Sequence, residues 1–350
     1  MNSPHYPFDR IQSVESLRHP LGMSPVDLGR VARRASKMYF VAKTVPKDDG
    51  TPRVLYDTRE PLKLILQRIN DHFLRRVIYP GYLTGGVPGK DYTWSVNIHL
   101  GAKTVIKEDI SKFYPSVSFD VVYDIWNRFF GFSNEVAELL TMLTTRDGHL
   151  EQGAPTSGYL ANLALWDVEP PLIRQLEAIN VTRYSRHVDD ITLSSDQYLS
   201  PSKIDWVARQ VTEALIRKGL KINQAKHVVM QASGPIKILK LLGHTKASLP
   251  KVERARVRAM VHDFCLRAQA GEDLERLHRE LPRVRGQAYK VKRFHPHKGE
   301  QLVGQVSLAA QHIQDFAAQA DLEFSENSAA LTIDQVLYDG ASASVLASSG

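Results

Sequence analysis

The sequence predicts an α+β fold in which antiparallel hairpins carry the polar chemistry and amphipathic helices cover them. Three observations lead there. Residues 183–195, RYSRHVDDITLSS, form two short alternating segments that meet at Val188-Asp189-Asp190. Tyr184 alternates with Arg183 and Ser185, and Ile191 and Leu193 with Thr192 and Ser194, which is the period of a half-buried hairpin. Lys103 to Lys107, KTVIK, reads as a strand that delivers Asp109 to its C-terminal end. Around both lie apolar sets at helical spacing, within 62–77, 119–130 and 204–215.

The hairpin holds Asp189 and Asp190 at its tip. Two like charges a few ångströms apart repel, more strongly as their surroundings dry, so a cation has to compensate them, and a divalent metal is the natural candidate. An Asp-Asp pair also arises simply because Asp tolerates turn geometry, and the hairpin alone does not separate these readings. Asp109 adds a third carboxylate from a neighbouring strand. Such a set can converge on two hard, oxygen-seeking ions about 3.5–4 Å apart, the arrangement that serves phosphoryl transfer.

Composition bounds the alternatives. A chain of 350 residues suits one large core or two or three subdomains. The formal net charge of +7 and an isoelectric point near 9.3 fit a partner rich in phosphate, without selecting it. A single cysteine, Cys265, excludes an internal disulfide and a cysteine-rich zinc site and agrees with a reducing cytoplasm. The first residues, MNSPHYPFDR, contain no apolar core of signal-peptide length, and no run of about 18 apolar residues occurs. The expectation is a cytoplasmic protein with no membrane partner.

Taken in order, residues 1–36 predict a helical extension, with Ser24-Pro25 as N-cap and first-turn residue ahead of Val26, Leu28 and Val31. Arg30, Arg33 and Arg34 make that helix basic, facing either RNA or water. Residues 38–56 predict a hairpin around Lys47-Asp48-Asp49-Gly50. From Pro61 to Ile78 the apolar set predicts one core helix with a basic back. The segment GYLTGGVPGKDYTW that follows is not a phosphate-binding loop, because Thr84 stands where its first glycine belongs and Asp91 where its hydroxyl residue belongs. It reads as a flexible loop. Phe119, Val122, Tyr123, Trp126, Phe129 and Phe130 form a packing stripe, and a further helix is expected from about Thr156 to Asp167. Ile204 to Leu215 predicts an amphipathic helix closed by Gly219, with a strand at Leu220-Lys221-Ile222. Ile236 to Thr245 predicts a second hairpin with Leu242-Gly243 at its turn. Beyond it the chain turns basic and helical, with Arg254, Arg256 and Arg258 in one stretch and Lys290 to Lys298 in another. His295 and His297 have no carboxylate or thiol neighbours in sequence that would suit a metal site. From about residue 323 the Ser- and Ala-rich sequence is expected to fray.

Four segments in order carry a resemblance. Asp109 is followed five residues later by Tyr114; then come Gln152-Gly153-Ala154-Pro155-Thr156-Ser157, His187-Val188-Asp189-Asp190, and Gly219-Leu220-Lys221-Ile222-Asn223 with Lys226 just beyond. In order and spacing the chain resembles a bacterial reverse transcriptase of the retron and defence-associated group, over roughly residues 37–290. The resemblance implies a right-hand polymerase fold: fingers over 37–100, a palm with antiparallel sheet and helices over 101–235, a primer-grip hairpin over 236–250 and a helical thumb over 251–322. It implies two Mg²⁺ ions, with Mn²⁺ as a substitute, held by Asp109, Asp189, the Ile110 carbonyl and Asp190, the last as a ligand or a charge tuner. Arg53, and less directly Lys43 or Lys47, would clamp the triphosphate, where an ordinary exposed hairpin is the alternative. Tyr114 would lie beneath the sugar and reject a 2′-hydroxyl. Gln152 and Gly153 would meet nucleotide and template. Lys226 would stand near the departing pyrophosphate as a general acid, or else be a surface lysine in a turn. His187, where the family has tyrosine, would pack on the primer end, Leu242 and Gly243 would grip the primer, and Arg254 and Arg258 would track a duplex backbone.

The implied function is RNA-directed DNA synthesis on a structured noncoding RNA that serves as template and primer. The implied partners are that RNA, its DNA product, deoxynucleotides and a defence effector protein. Two other functions stay open on the sequence: protein-primed or untemplated synthesis in phage defence, and a non-catalytic RNA-binding scaffold. Intact Asp109, Asp189 and Asp190 argue against the scaffold.

Overall fold

The computed structural model describes residues 3–47, 50–231 and 234–345. The chain divides into two compact units, Met1–Ala247 and Ser248–Gly350.

In the first unit, α1 (Pro25–Ala32) begins where the sequence places it, with the Ser24 hydroxyl accepting from the Asp27 amide at 3.2 Å, a cap worth about 1 kcal/mol. The hairpin of β1 (Tyr39–Pro46) and β2 (Pro52–Thr58) is antiparallel from Tyr39↔Thr58 to Pro46↔Pro52, with the register shifting by one residue between Val41 and Lys43. Asp48 and Asp49 of its expected turn lie outside the described residues. The single helix expected from Pro61 to Ile78 is two pieces. Helix α2 (Leu62–His72) stops at Phe73, whose φ and ψ of −126° and −65° are not helical, and a 3₁₀ turn follows at Leu74–Arg76. The break lets the Phe73 ring pack edge-on against Trp126 and Phe132, with centroids 6.4 and 5.6 Å away, a contact apolar periodicity does not report.

Helix α3 (Tyr92–Ile98), capped by Asp91, precedes β3 (Thr104–Asp109). The aromatic stripe forms α4 (Phe119–Asp124) and a wider π turn over Ile125–Phe129. Trp126 and Phe130 stack at 4.8 Å inside the core. Then come α5 (Asn134–Thr144) and α6 (Ser157–Leu163). The latter ends well before Asp167, because 3₁₀-type bonds such as Trp166 N–H to Leu163 O (3.0 Å) tighten the chain beyond it. After α7 (Glu169–Glu177) the predicted hairpin appears as β4 (Arg183–His187) and β5 (Asp190–Ser195). Helix α8 (Pro201–Ile216) follows, with Gly219 at φ +70° beyond its end. The expected strand at 220–222 is absent; Ile222 makes only an isolated bridge to Ile110. Strand β6 (Val228–Gln231) comes next.

The sheet that matters has the order β4-β5-β3-β6, antiparallel throughout. Its hairpin is not half-buried. Tyr184, Ser185 and Arg186 on β4 and Ile191 through Ser195 on β5 are all buried, because one face meets the helical core and the other is covered by residues 82–99. The second predicted hairpin forms from β7 (Ile236–Ile238) and β8 (Leu241–Gly243), but with a different register: Ile236 pairs with Gly243 and Ile238 with Leu241. Its turn is Leu239-Lys240, Leu239 having φ +52°, so Leu242 and Gly243 lie in the strand.

The second unit consists of α9 (Lys251–Gln269), α10 (Leu274–Phe294) and α11 (Pro296–Val345). Val257, Val261, Phe264, Leu277, Val284, Val291, Val306 and Ile313 are among its buried residues. The segment expected to fray from residue 323 is helical through Val345, with residues 346–350 outside the described residues. His295 Nε2 accepts from the Leu249 amide at 3.2 Å, a structural use of that ring.

Candidate active site

Strand pairing decides where the three carboxylates stand. Asp109, the last residue of β3, is the cross-strand partner of Asp190, the first residue of β5, and His187 pairs with Asp190 across the hairpin. Directly opposed residues share a face of a sheet, so the Asp109 and Asp190 side chains project together. Asp189 sits in the two-residue turn that joins His187 of β4 to Asp190 of β5, and its carbonyl accepts from the Ile110 amide at 2.9 Å. Burial first, then the charges of Asp189 and Asp109, pushes the Asp190 carboxyl up to about 6. Burial, with Asp109 adding, likewise raises Asp189, while Lys226 and Arg53 pull it back. Residues 109, 189, 190 and 226 are therefore close enough to feel one another's charge, and Arg53 is close enough to act on Asp189.

Lys226 Nζ lies 2.7 Å from Asp109 Oδ2. The Asn223 side-chain amide donates to Asp109 Oδ1 at 3.2 Å, and the Asn223 backbone amide to the Asp109 carbonyl at 2.8 Å. Among the described residues no group of three His, Cys, Asp or Glu side chains closes on a metal position by itself. The donor set nevertheless suits a hard divalent ion. It is all oxygen, it carries excess negative charge that its own proton affinities register, and it already has one cation drawn against it.

The other expected site residues are spread over several places in the fold. The Tyr114 hydroxyl is raised by burial and by the charge of Asp189, which places the ring near the carboxylates. Gln152 and Gly153 pack on the β1/β2 hairpin: the Tyr56 amide donates to the Gln152 carbonyl at 2.8 Å, and a Cβ on Gly153 would stand 2.6 Å from the Tyr56 carbonyl oxygen. The close approach that demands glycine there is made to the Tyr56 backbone. Gly243 is required by packing, since a Cβ would lie 2.8 Å from Val96 Cγ1 on α3. Arg254 and Arg258 stand on α9 in the second unit, Arg258 exposed and Arg254 half-buried.

The segment expected to be a flexible loop is instead a brace for the catalytic turn. Tyr82 to Thr84 runs beside β4, the Arg186 amide donating to the Tyr82 carbonyl (2.9 Å) and the Thr84 amide to the Arg186 carbonyl (3.0 Å). Lys90 donates to the carbonyls of Pro80, Gly81 and Leu83 at 2.8, 3.3 and 2.8 Å, so its three protons organise the loop and none is left for a phosphate. A Cβ on Gly85 would stand 2.7 Å from both the amide nitrogen and Cγ2 of Val188. Val188 itself has φ +63°, a conformation that a β-branched residue holds only where its surroundings impose it. The Thr84 hydroxyl lies 3.3 Å from His187 Nδ1 and 2.6 Å from the Ser95 hydroxyl, and burial lowers the His187 pKa. His99, wholly buried, bridges the two hairpin strands, with Nδ1 at 2.7 Å from Ser194 Oγ and Nε2 at 2.8 Å from Ser185 Oγ. Burial, helped by the Arg183 charge, lowers its pKa to about 3 and keeps the ring neutral.

Beneath the turn lies a buried ion pair. The Arg186 and Glu169 side chains are 0% and 2% exposed. Arg186 Nε and Nη2 both donate to the Glu169 carboxylate, Nη2 also to the Asn162 carbonyl (2.7 Å), and Nη1 to the Val188 carbonyl (3.1 Å). The Tyr184 hydroxyl donates to Glu169 Oε1 at 2.7 Å. Arg186, Glu169, Thr84 and the Glu108–His227 pair (2.8 Å) escape a reading by motif, and the motif that contains Asn223 gives no sign of its bond to Asp109. A charged residue next to His187 in an otherwise packed strand was the one available sign of Arg186.

Comparison with known proteins agrees with this geometry. A family described as reverse transcriptase (RNA-dependent DNA polymerase) matches residues 45–245. The chain is similar to the Retron Ec48 reverse transcriptase of Escherichia coli, 32% identical over 74% of this chain and 66% of that protein. It is similar to the Retron Se72 reverse transcriptase of Salmonella heidelberg (strain 579083-10), 31% identical over 75% of this chain and 70% of that protein. A third relative is the Retron Mx65 reverse transcriptase of Myxococcus xanthus, 27% identical over 75% and 63%. The chain thus spans about two thirds of the length of the curated relatives it matches.

Proposed function

The chain belongs to the reverse transcriptases, the RNA-dependent DNA polymerases, and among them to the retron enzymes, and from that membership we propose that it copies a structured noncoding RNA into DNA. The reaction is nucleotide addition. A primer 3′-oxygen bonds to the α-phosphorus of a deoxynucleotide, the bond from that phosphorus to the bridging oxygen breaks, and pyrophosphate leaves. The observation that carries the reading is the cross-strand pairing of Asp109 and Asp190, with Asp189 in the β4/β5 turn next to Asp190.

Reverse transcriptases work with divalent metal ions. On this reading Asp109, Asp189, Asp190 and the Ile110 carbonyl would hold two Mg²⁺, for which Mn²⁺ could substitute, and the ions would supply Lewis-acid activation of the attacking hydroxyl and compensation of triphosphate charge. Arg53, close enough to Asp189 for its charge to register, clamps triphosphate oxygens. Tyr114 lies under the sugar and excludes a 2′-hydroxyl. Gln152 and Gly153 shape the nucleotide pocket by fixing the β1/β2 hairpin over it. His187 packs on the primer end, and Leu242 and Gly243 carry the primer grip. Lys226, now on Asp109, delivers a proton to the departing pyrophosphate. Arg254 and Arg258 contact backbone phosphates, each contact adding salt-sensitive affinity.

The protein is placed in the cytoplasm, where a lone cysteine is at home. No helix among the described residues is long and apolar enough to cross a membrane. A defence effector protein completes the proposed partners.

Sequencing the DNA that copurifies with the protein tests the reading. A defined copy of one RNA is expected. Homopolymer or random DNA would replace it with untemplated or protein-primed synthesis, and absence of any DNA product under Mg²⁺ and deoxynucleotides would leave an RNA-binding scaffold.

A further inference from the structure

We propose that Glu108 and His227 are a positioning pair that sets where Lys226 stands against the carboxylates; the inference rests on the polymerase reading above. Residues 223–227 form a clip whose two ends fasten to consecutive residues of β3. At one end Asn223 bonds to Asp109 twice, through its backbone and its side-chain amide. At the other, His227 Nδ1 meets Glu108 Oε1 at 2.8 Å. Between them a 3₁₀ turn, Gln224–Lys226, carries Lys226, with Lys226 N–H donating to the Asn223 carbonyl (3.0 Å) and His227 N–H to the Gln224 carbonyl (3.2 Å).

Lys226 needs such a clip. Its side chain is 59% exposed, its four-carbon stem has large rotamer freedom, and an exposed ion pair holds a lysine weakly. Where its ammonium group spends its time therefore depends on where its backbone is fixed. His227 is the adjacent residue; Glu108 holds its ring where the chain enters β6, whose first residue, Val228, pairs with Lys107.

Glu108 has no other evident purpose. It is 2% exposed, packed in the strand beside Asp109, and its second oxygen, Oε2, has no hydrogen-bond partner. A buried carboxylate with a single partner costs stability relative to an apolar residue of the same size. A side chain that weakens the fold where methionine would fit is explained by what it holds.

Two readouts test this, one of them independent of catalysis. Competitive acetylation followed by peptide mass spectrometry reports how tightly Lys226 is held on Asp109 in the nucleotide-free protein. Single-nucleotide incorporation reports kcat and KM for the deoxynucleotide. Glu108→Met should match or exceed the wild type in urea midpoint, yet acetylate at Lys226 at least threefold faster, with kcat down about tenfold and KM unchanged. Glu108→Gln, whose carbonyl still accepts from His227, should recover most of both. In a Lys226→Ala background Glu108→Met should lower kcat by less than twofold more. Should Glu108→Met fail to fold, His227→Leu carries the same expectations for acetylation and kcat, with a lower urea midpoint because it leaves the Glu108 carboxylate buried without its partner. Unchanged acetylation of Lys226, or a kcat loss as large without the lysine as with it, would overturn the inference. A wild-type protein that extends no primer would count against the polymerase reading, while the acetylation rates would still decide the positioning role.

Discussion

Removing Glu169 should do more damage than any other single change outside the carboxylates. In Glu169→Ala the Arg186 guanidinium, 0% exposed, keeps its charge but loses its counter-ion, and the Tyr184 hydroxyl loses its acceptor. Breaking a buried pair from one side costs about 3–5 kcal/mol, and the Tyr184 bond adds about 1 kcal/mol. A loss of about 4–6 kcal/mol consumes much of the ~5–15 kcal/mol that holds a native protein together. Glu169→Leu combined with Arg186→Met removes both charges and should return to within about 2 kcal/mol of wild type. Its activity should not return, because the Val188 carbonyl loses the donor that tethers a turn residue at φ +63°. Urea denaturation followed by the fluorescence of the four tryptophans reads the first quantity, and primer extension the second. A Glu169→Ala protein within 1 kcal/mol of wild type would refute the energetic reasoning, and full kcat in the double variant would refute the tether.

The remaining predictions concern the brace and the nucleotide. His99 is neutral when folded, with its pKa lowered to about 3, whereas an unfolded histidine titrates near 6.5. The unfolded chain therefore takes up the proton first: stability is full above about pH 6.5 and falls by about 1.4 kcal/mol per pH unit on acidification below it. His99→Gln should lose that component of the slope, and identical slopes in denaturation curves between pH 6.5 and 4.5 would contradict the bridge. Gly85→Ala places a methyl 2.7 Å from the Val188 amide nitrogen and should lower kcat at least tenfold for about 1–3 kcal/mol of stability; wild-type incorporation kinetics would show that the turn is not braced there. Tyr114→Ala should raise ribonucleotide incorporation at least tenfold, and an unchanged sugar preference in primer extension would remove Tyr114 from sugar selection.

Local chemistry was legible in the sequence and long-range contact was not. The hairpin at 183–195 and the strand ending at Asp109 declare themselves through alternation and paired acids, and α8 through its apolar spacing and Gly219. The register of the 236–243 hairpin was misplaced because Leu239-Lys240 carries no turn-forming residue, while Gly243 looks like a turn but is small only to admit Val96. Residues 81–90 look like a mobile loop by their Gly and Pro content. Their order comes from partners about a hundred positions away, Arg186, His187 and Val188. Phe73 breaks a helix whose periodicity continues past it, because the aromatic cluster it joins is assembled from residues 126–132. The Arg186–Glu169 and Glu108–His227 pairs follow from the fold and have no signature of their own.

The measurement closest to the central claim is Mg²⁺-dependent extension of an RNA-templated primer by the Asp189→Asn, Asp190→Asn double variant, with RNA affinity measured on the same sample. Three carboxylates acting together on the reacting phosphate predict unchanged RNA binding and no extension. Extension at a substantial fraction of the wild-type rate would mean that synthesis does not depend on these carboxylates and would contradict the account.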